Sequence, residues 1–242
     1  MGGALDARAL GRKFEANRRV HLPAFLHDHA ADEVLHFLTA SHEWRLVVNA
    51  GEKLFELDRG AQAGMSDAQR RQLEEAVYAQ ARYGFQYCYE TIRVPDSVQE
   101  RAARGTILDD FARFMSQEST LAFFREVLGE PAITFADAQA TAYGPGHFLT
   151  AHDDAVAGKN RVAAYVFNLS RDWRLDWGGL LAFHGSCGVT AEALVPAFNA
   201  LNLFAVPQPH SVTMVAPFAP RRRYAITGWF RTGPRPGPGQ PG

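Results

Sequence analysis

The sequence predicts an α+β fold, with a double-stranded β-helix (jelly roll) core braced by helices from its N-terminal half. Three observations support this prediction. Residues 1–131 carry the amphipathic helical patterns, whereas residues 132–232 carry short apolar segments separated by turns rich in Gly, Pro and Asp. The second half shows no convincing helical pattern. About eight short strands in succession are typical of a sandwich, barrel or jelly roll.

The composition is that of a soluble globular protein. Of 242 residues, 47% are hydrophobic and 21% are charged, which is enough to bury a core without disulfides or structural metals. We expect one domain over residues 1–232, whose two halves are the segments above. Residues 233–242 contain only Gly, Pro, Arg and Gln, so we expect a disordered tail there.

Charge and cysteine content exclude several kinds of site. Lys and Arg number 25 and Asp and Glu number 26, so the chain lacks the basic excess typical of nucleic-acid binding. Cys88 and Cys187 are too few for a disulfide framework or a Cys-rich zinc site, which leaves nine histidines and the carboxylates as candidate metal ligands. We find neither a secretory signal nor an apolar run long enough to span a membrane, and we expect a cytoplasmic protein.

The first half predicts strands and capped helices. Asp28 and the pair Ser66 and Gln69 are N-cap signals, and the aromatic and β-branched composition of residues 85–94 favours a strand. The predicted elements are strand 20–26, helix 28–39, strands 44–48 and 54–57, helix 66–82, strand 85–94 and a helical segment 107–128 broken near 117–119.

The second half predicts strands only. They cover residues 133–143, 148–152, 162–169, 180–183, 194–196, 201–206, 212–215 and 223–231.

One candidate metal site stands out in this half. Residues i and i+2 of a strand share a face, so His152 and Asp154 project together and Asp153 projects away. His210 precedes a distant apolar strand and can supply a third ligand. Two His and one carboxylate with open positions are typical of non-haem Fe(II) oxygenases. A His-x-Asp triplet alone also occurs in surface turns, so the context has to decide.

The last predicted strand begins with Arg221, Arg222 and Arg223 and then becomes apolar. A guanidinium that enters an apolar strand needs an anionic partner, which it binds best in a bidentate manner. Strand alternation places Arg223, Ala225, Thr227 and Trp229 on one face, the expected barrel interior.

Five ordered motifs resemble the 2-oxoglutarate- and Fe(II)-dependent dioxygenases, specifically the prolyl-4-hydroxylase-like branch. The resemblance covers about residues 132–231, and the first half matches only in its style of a strand followed by a capped helix. The motifs are Tyr143–Asp154, Trp177–Phe183, Pro196–Phe204, His210–Val215 and Arg223–Phe230.

The resemblance implies a role for each matching residue. His152, Asp154 and His210 are the implied iron ligands. Arg223 is the implied partner of the C5 carboxylate of 2-oxoglutarate, and Arg221 is the fallback because the interval from His210 is longer than is usual in the family. Arg221 would also face inwards by alternation.

Three further residues are implied cosubstrate contacts. Tyr143 lines the pocket in such enzymes, although a packed barrel tyrosine is an equally good interpretation. Thr227 can add a hydroxyl donor beside Arg223. Asn168 stands where many relatives carry a second tyrosine, and it either replaces that hydrogen-bond donor or leaves the contact unmade.

The resemblance also implies the reaction. We expect hydroxylation of a C–H bond, on a prolyl residue of a protein or peptide, with Fe(II), 2-oxoglutarate and O2 as cofactor and cosubstrates, release of succinate and CO2, and ascorbate in support. The alternative is hydroxylation of a free amino acid or another small molecule. A nucleic-acid demethylase is disfavoured by the balanced charge, and a non-catalytic binding module is disfavoured by the intact His/Asp/His set.

Overall fold

The structure is a computed structural model that describes residues 1–2, 5–185 and 190–235. Cys187 and residues 236–242 of the expected tail lie outside the described residues. Residues 233–235 follow the last strand, where the Thr134 hydroxyl donates to the carbonyl of Gly233 at 2.5 Å.

Helices lie in the N-terminal half of the described chain, apart from a single 3₁₀ turn at Leu175–Trp177. They are α1 (Ala7–Asn17), α2 (Asp28–Ala40), α3 (Arg59–Gly64), α4 (Asp67–Ala81), α5 (Val98–Arg104), α6 (Ile107–Met115) and α7 (Glu118–Leu128). None of these helices is long and apolar enough to cross a membrane.

The strands all pair antiparallel and form one curled sheet, which confirms the predicted jelly-roll class. The order of neighbours is β1-β11-β8-β13-β6-β4-β7-β12-β9-β10, with β2 and β3 extending from β4 and β5 pairing with β13. The strands are β1 (Arg19–Leu22), β2 (Arg45–Ala50), β3 (Lys53–Asp58), β4 (Tyr87–Arg93), β5 (Ile133–Ala136), β6 (Gln139–Tyr143), β7 (Phe148–His152), β8 (Arg161–Asn168), β9 (Leu181–His184), β10 (Thr190–Leu194), β11 (Ala200–Ala205), β12 (His210–Val212) and β13 (Arg223–Thr232).

Two apolar layers separate the helices from the inside of the curl. On the helix side, Phe111 of α6 stacks on Phe167 of β8 with ring centroids 5.4 Å apart. Ile226 belongs to this layer, whereas its neighbour Ala225 packs inside with Phe183 and Phe204. The predicted alternation of β13 is therefore observed, and its odd-numbered residues face the interior.

Local signals located several elements correctly. Ser66 and Gln69 form the predicted reciprocal capping box of α4. The helical break near residues 117–119 separates α6 from α7. The predicted strand at 133–143 is divided into β5 and β6, because residues 137–138 interrupt the ladder with β13.

Other predicted elements began or ended at the wrong residue, and some helices were not predicted. Asp28 does not cap α2; the N-cap is His27, and the Asp28 carboxylate instead accepts a hydrogen bond from Asn199 at 2.9 Å. The strand expected at 194–196 ends at Leu194, and the one expected at 212–215 ends at Val212. Helices α1, α3 and α5 were not predicted. Helices α3 and α5 have six and seven residues, too few for a clear periodicity, whereas the amphipathic pattern of α1 was missed.

Candidate active site

Three potential metal ligands meet where β7 and β12 pair. His152 ends β7 and His210 begins β12, and the two residues lie opposite each other in the ladder. Oδ1 of Asp154 lies 3.5 Å from Nε2 of His152, and its Oδ2 lies 3.5 Å from Nε2 of His210. The three ligand atoms lie within 4.8 Å of one another. Two His and one carboxylate in this grouping suit non-haem Fe(II).

The backbone after β7 turns so that the Asp154 carboxylate returns towards the two imidazoles. Asp154 has φ of 64°, in the left-handed region, which aspartate visits more readily than most residues. Arg161 of β8 donates from Nη1 to the carbonyl oxygen of Asp154 at 3.1 Å. The strained residue is therefore held by a neighbouring strand at the position where a ligand is needed.

Backbone carbonyls orient both imidazoles. Nδ1 of His152 lies 2.9 Å from the carbonyl oxygen of Thr150, and Nδ1 of His210 lies 2.7 Å from that of Gln208. A carbonyl oxygen only accepts, so each Nδ1 carries the proton and each Nε2 keeps its lone pair for a metal. Burial, together with the nearby His152, lowers the pKa of His210 to about 4, so His210 is neutral at pH 7.

Arg223 is a buried cation that forms no ion pair with a carboxylate among the described residues. The residue is 1% exposed, and its Nη2 donates to the Asn168 side-chain oxygen at 3.4 Å. Within the described chain, its Nε and Nη1 have no hydrogen-bond partner. Burial lowers its pKa to about 10, so it stays charged at neutral pH. A buried charge of this kind is stable only with an anionic ligand.

The metal-ligand group and Arg223 line the same cavity of about 410 Å³. Its volume lies in the range of small-molecule sites. The donor set and the free guanidinium fit Fe(II) at one end and the far carboxylate of 2-oxoglutarate at the other. Leu181, Phe204 and Val212 contribute apolar wall between the polar groups.

An aromatic wall runs along one side of the cavity. Tyr143 of β6 stacks on Tyr89 of β4 at 5.1 Å, and Tyr89 leads through Tyr87 to Phe85, whose ring lies 5.8 Å from that of His152. Burial raises the pKa of Tyr89 to about 12 and that of Tyr143 further, so both hydroxyls stay protonated. The sequence analysis missed this contribution of the first half, although aromatic residues at alternate positions of a strand were a visible signal.

Two further predicted contacts lie close to Arg223. Thr227 lines the cavity, as expected for the inward face of β13. For Asn168 two alternatives were open, a hydrogen-bond donor to the cosubstrate or an unmade contact, and its side chain is engaged within the fold. Its amide nitrogen donates to the carbonyl oxygens of Val166 and Ala200, and its oxygen accepts from Arg223. Asn168 therefore orients the arginine rather than pointing a donor into the cavity.

The neighbouring arginines face away from the cavity. Arg221 is exposed, and its Nη1 lies 3.4 Å from the carbonyl oxygen of Arg171, so it does not serve as the alternative to Arg223. Arg222 pairs with the buried Glu90 at 2.7 Å, as an outward-facing residue should.

Arg161 and Trp229 form the mouth of the cavity. The Arg161 guanidinium carbon lies 3.5 Å from the centroid of the Trp229 ring. Arg161 Nε and Trp229 Nε1 have no hydrogen-bond partner among the described residues. Phe85 and Val156, each about half exposed at 51% and 48%, complete the entrance. The sequence analysis expected Trp229 to face inwards but missed Arg161.

The family of the catalytic half follows from a direct match. Residues 138–231 match the model of the 2OG-Fe(II) oxygenase superfamily. The predicted resemblance to these oxygenases is thereby confirmed, and the matched segment contains the potential metal ligands and Arg223. No curated protein sequence matches the chain.

Solved oxygenase structures share the fold. A prolyl-4-hydroxylase from Pseudomonas putida is 16% identical, with a TM-score of 0.60 over 95% of this chain and 100% of that chain. A prolyl hydroxylase from Trichoplax adhaerens, in complex with a peptide fragment of the hypoxia inducible factor oxygen degradation domain, is 17% identical, with a TM-score of 0.54 over 93% and 89%. The α-ketoglutarate-dependent epimerase SnoN from nogalamycin biosynthesis is 12% identical, with a TM-score of 0.59 over 98% and 91%. At these identities the likeness shows the fold alone.

Proposed function

We propose that the chain is an Fe(II)- and 2-oxoglutarate-dependent hydroxylase that acts on a prolyl residue of a protein or peptide. One observation carries the oxygenase part of this proposal. The buried guanidinium of Arg223, with two unpartnered nitrogens, faces the same cavity as the His152, Asp154 and His210 group. An anion that bridges these two ends completes both of them.

The residues present divide the binding tasks. His152, Asp154 and His210 would hold the iron, and Arg223, with Thr227 beside it, would bind the C5 carboxylate of 2-oxoglutarate. Iron with 2-oxoglutarate and O2 supplies the oxidation that replaces a C–H hydrogen by hydroxyl, with release of succinate and CO2. The protonated hydroxyls and faces of Tyr89 and Tyr143 wall the cosubstrate region and limit the access of water.

The mouth of the cavity supports a peptide substrate. Phe85, Tyr87 and Trp229 give it aromatic surface, against which a proline ring packs well. Arg161 Nε and Trp229 Nε1 are buried donors without a hydrogen-bond partner among the described residues, and a substrate carbonyl oxygen that reached them would satisfy them. An entrance with aromatic faces and two unpartnered donors beneath it suits a prolyl residue and its peptide carbonyl.

A small-molecule hydroxylase is the second candidate. The cavity volume of about 410 Å³ can enclose a free amino acid or metabolite together with the cosubstrate. Arg161 would then bind a substrate carboxylate instead of a peptide carbonyl. The metal and 2-oxoglutarate contacts are the same in both cases.

The cellular setting is part of the proposal. We infer a reducing, cytoplasmic environment in which iron stays Fe(II), with ascorbate as a supporting reductant. The net charge of −1 favours protein or small-molecule partners over nucleic acid.

Succinate formation from 2-oxoglutarate and Fe(II), followed by mass spectrometry for added oxygen, tests the proposal. Proline-containing peptides should gain one oxygen, and the same peptides with alanine in place of proline should not. Oxygen added only to metabolites of a cell extract would favour the second candidate. The oxygenase assignment fails if 2-oxoglutarate neither binds in the presence of Mn(II), as a stand-in for Fe(II), nor turns over with Fe(II).

A further inference from the structure

Asp137 is a buried carboxylate close to the mouth that the proposed reaction does not use. It lies between β5 and β6, where the ladder with β13 is interrupted. Its Oδ1 accepts the backbone N–H of Trp229 at 2.7 Å, and its Oδ2 lies 3.3 Å from Nη1 of Arg231. The carboxylate thus replaces the backbone acceptor that a continuous strand would supply to Trp229.

The backbone on both sides of this contact is held tightly. The Asp137 carbonyl oxygen accepts from the Tyr165 hydroxyl at 2.7 Å, and the Asp137 N–H donates to the Trp229 carbonyl at 3.2 Å. A Cβ on Gly228 would come within 2.1 Å of the Asp137 carbonyl oxygen, so only glycine allows this close approach. The side chain of Asp137 therefore acts on a strand segment with little freedom to move elsewhere.

The hydrogen bond between Asp137 and Trp229 links Asp137 to the mouth of the cavity. Trp229 is the residue whose N–H it accepts, and the ring of Trp229 lies 3.5 Å from the Arg161 guanidinium carbon. Arg161 in turn donates to the carbonyl of Asp154 at 3.1 Å. A change at Asp137 can therefore alter the two mouth donors without direct contact with a metal ligand.

We propose that Asp137 is a positioning residue that holds Trp229, and through it Arg161, in the substrate-binding arrangement while its carboxylate is charged. Loss of the charge weakens the acceptor for the Trp229 N–H and removes the attraction for Arg231. The mouth then loosens at Trp229 and Arg161, whereas Arg223, at the opposite end of β13, keeps its place. The substrate part of this inference rests on the proposed function, whereas the effect on Trp229 does not.

The surroundings of Asp137 let its carboxylate lose its charge close to neutral pH. Burial raises its pKa to about 6, Asp96 adds repulsion, and Arg231 and Arg161 oppose the rise together with the Trp229 N–H. Tyr165 contributes its neutral hydroxyl.

Acrylamide quenching of Trp229 fluorescence in metal-free protein tests the inference. The signal of Trp229 is the difference between the wild-type protein and Trp229→Phe, since Trp44, Trp173 and Trp177 contribute to both. Each Asp137 variant is likewise paired with a double variant that also carries Trp229→Phe. We expect quenching to rise on acidification with a midpoint near pH 6, following the titration of Asp137. In Asp137→Asn this transition should be lost, and in Asp137→Ala quenching at pH 7.5 should already be high.

Asp109→Asn is the matched control. Asp109 is also buried and accepts from a backbone N–H, that of Thr106 at 2.9 Å, but it caps α6 away from the cavity. Asp109→Asn should lower the free energy of unfolding and leave the pH transition of Trp229 quenching unchanged. If Asp137→Ala does not fold, Asp137→Asn decides the question alone. A transition that persists in Asp137→Asn, or its absence in the wild-type protein, overturns the inference.

Binding and kinetics separate this inference from the proposed function. Mn(II)-dependent binding of 2-oxoglutarate should be retained in Asp137→Asn, because the contacts of Asp137 are with Trp229, Tyr165 and Arg231 and not with Arg223. Once a substrate that the enzyme hydroxylates is known, Asp137→Asn should raise the KM for that substrate and leave the KM for 2-oxoglutarate unchanged. An equal rise in both KM values would contradict the positioning role of Asp137. A wild-type protein that does not bind 2-oxoglutarate refutes the oxygenase proposal, but the fluorescence transition still tests Asp137.

Discussion

The two ends of strand β13 each bury an arginine, and the two arginines have opposite surroundings. Arg231 is 6% exposed and lies near two carboxylates, Asp137 at 3.3 Å and Asp96 at 3.7 Å, while its Nε donates to the Lys159 carbonyl at 2.7 Å. Arg223 is 1% exposed, and its Nη2 donates to the neutral side chain of Asn168.

This difference separates a structural cation from a ligand-binding one. Burying a charge is unfavourable unless a partner of opposite charge and hydrogen bonds replace the lost water. The fold supplies those partners to Arg231 and omits them at Arg223. Arg223 can therefore accept an anionic ligand, whereas Arg231 already has its partners within the fold.

The largest expected effect is at the metal-ligand group. His210→Ala should abolish Mn(II) binding measured by calorimetry, a loss larger than the roughly 10–100-fold typical of changes to residues that merely orient a ligand. His21→Ala is the control, because His21 lies on the edge strand β1, where it bonds Asn202, and is not among the residues that line the cavity. Retained metal binding in His210→Ala would remove the basis for treating the inner end of the cavity as a ligand site.

Methionine at each arginine tests the comparison directly. Arg223→Met should weaken 2-oxoglutarate binding by about 30-fold or more, since loss of a buried charge partner costs about 2–5 kcal/mol. Its free energy of unfolding should not fall, because an uncompensated charge is removed. Arg231→Met should instead lower the free energy of unfolding by about 3 kcal/mol, since it leaves Asp137 and Asp96 without their cation.

Denaturant titrations and 2-oxoglutarate binding measure these two outcomes on the same samples. The distinction between the two arginines would be wrong if Arg223→Met destabilised the fold as strongly as Arg231→Met. It would also be wrong if Arg231→Met removed 2-oxoglutarate binding in a protein that remains folded.

Stability measured as a function of pH tests the charges around Arg231 and Asp137. Asp137 has a folded pKa of about 6 against 3.8 ordinarily, so the folded state binds more protons between pH 4 and 6. Its contribution to stability therefore increases on acidification, by up to about 3 kcal/mol at 1.36 kcal/mol per pKa unit. His147 and His210, whose pKa burial lowers to about 4, act in the opposite direction between pH 6.5 and 4.

The difference between the wild-type protein and Asp137→Asn isolates this contribution, because both contain the same histidines. Urea unfolding midpoints at pH 7, 6, 5 and 4 should show Asp137→Asn losing stability more steeply than the wild-type protein. Parallel curves would mean that Asp137 keeps an ordinary pKa.

The smallest effect is expected at the cap of α4, which involves neither Arg223 nor Arg231. Ser66→Ala removes the cap of α4 and should lower the free energy of unfolding by about 1 kcal/mol. Helix α4 packs on the side of the sheet that includes Leu46 and Val48, away from the cavity. Metal and 2-oxoglutarate binding should therefore be unchanged, and a loss of either would link this helix to the site.

Local sequence signals predicted the parts of the fold whose cause is local. The capping box at Ser66, the break between α6 and α7 and the alternation of β13 depend on residues a few positions apart. The Asp28 cap was predicted by the same logic and was wrong, because a distant residue, Asn199, takes its carboxylate. Short polar helices such as α5 were missed because tertiary packing, rather than periodicity, stabilises them.

The sequence alone determined the jelly-roll class and the inward direction of Arg223, since strand alternation has a period of two. It also paired His152 with Asp154, but the reason was wrong: β7 ends at His152, and Asp154 reaches the imidazoles from a left-handed turn rather than by strand alternation. Tertiary structure decided that His210 lies opposite His152, that Arg223 has no carboxylate partner and that Arg231 has two. It also brought Arg161 onto Trp229 and the tyrosines of the first half against the cavity. These features depend on which distant strands pair, and the distribution of charge partners in a buried interior is known only after that pairing.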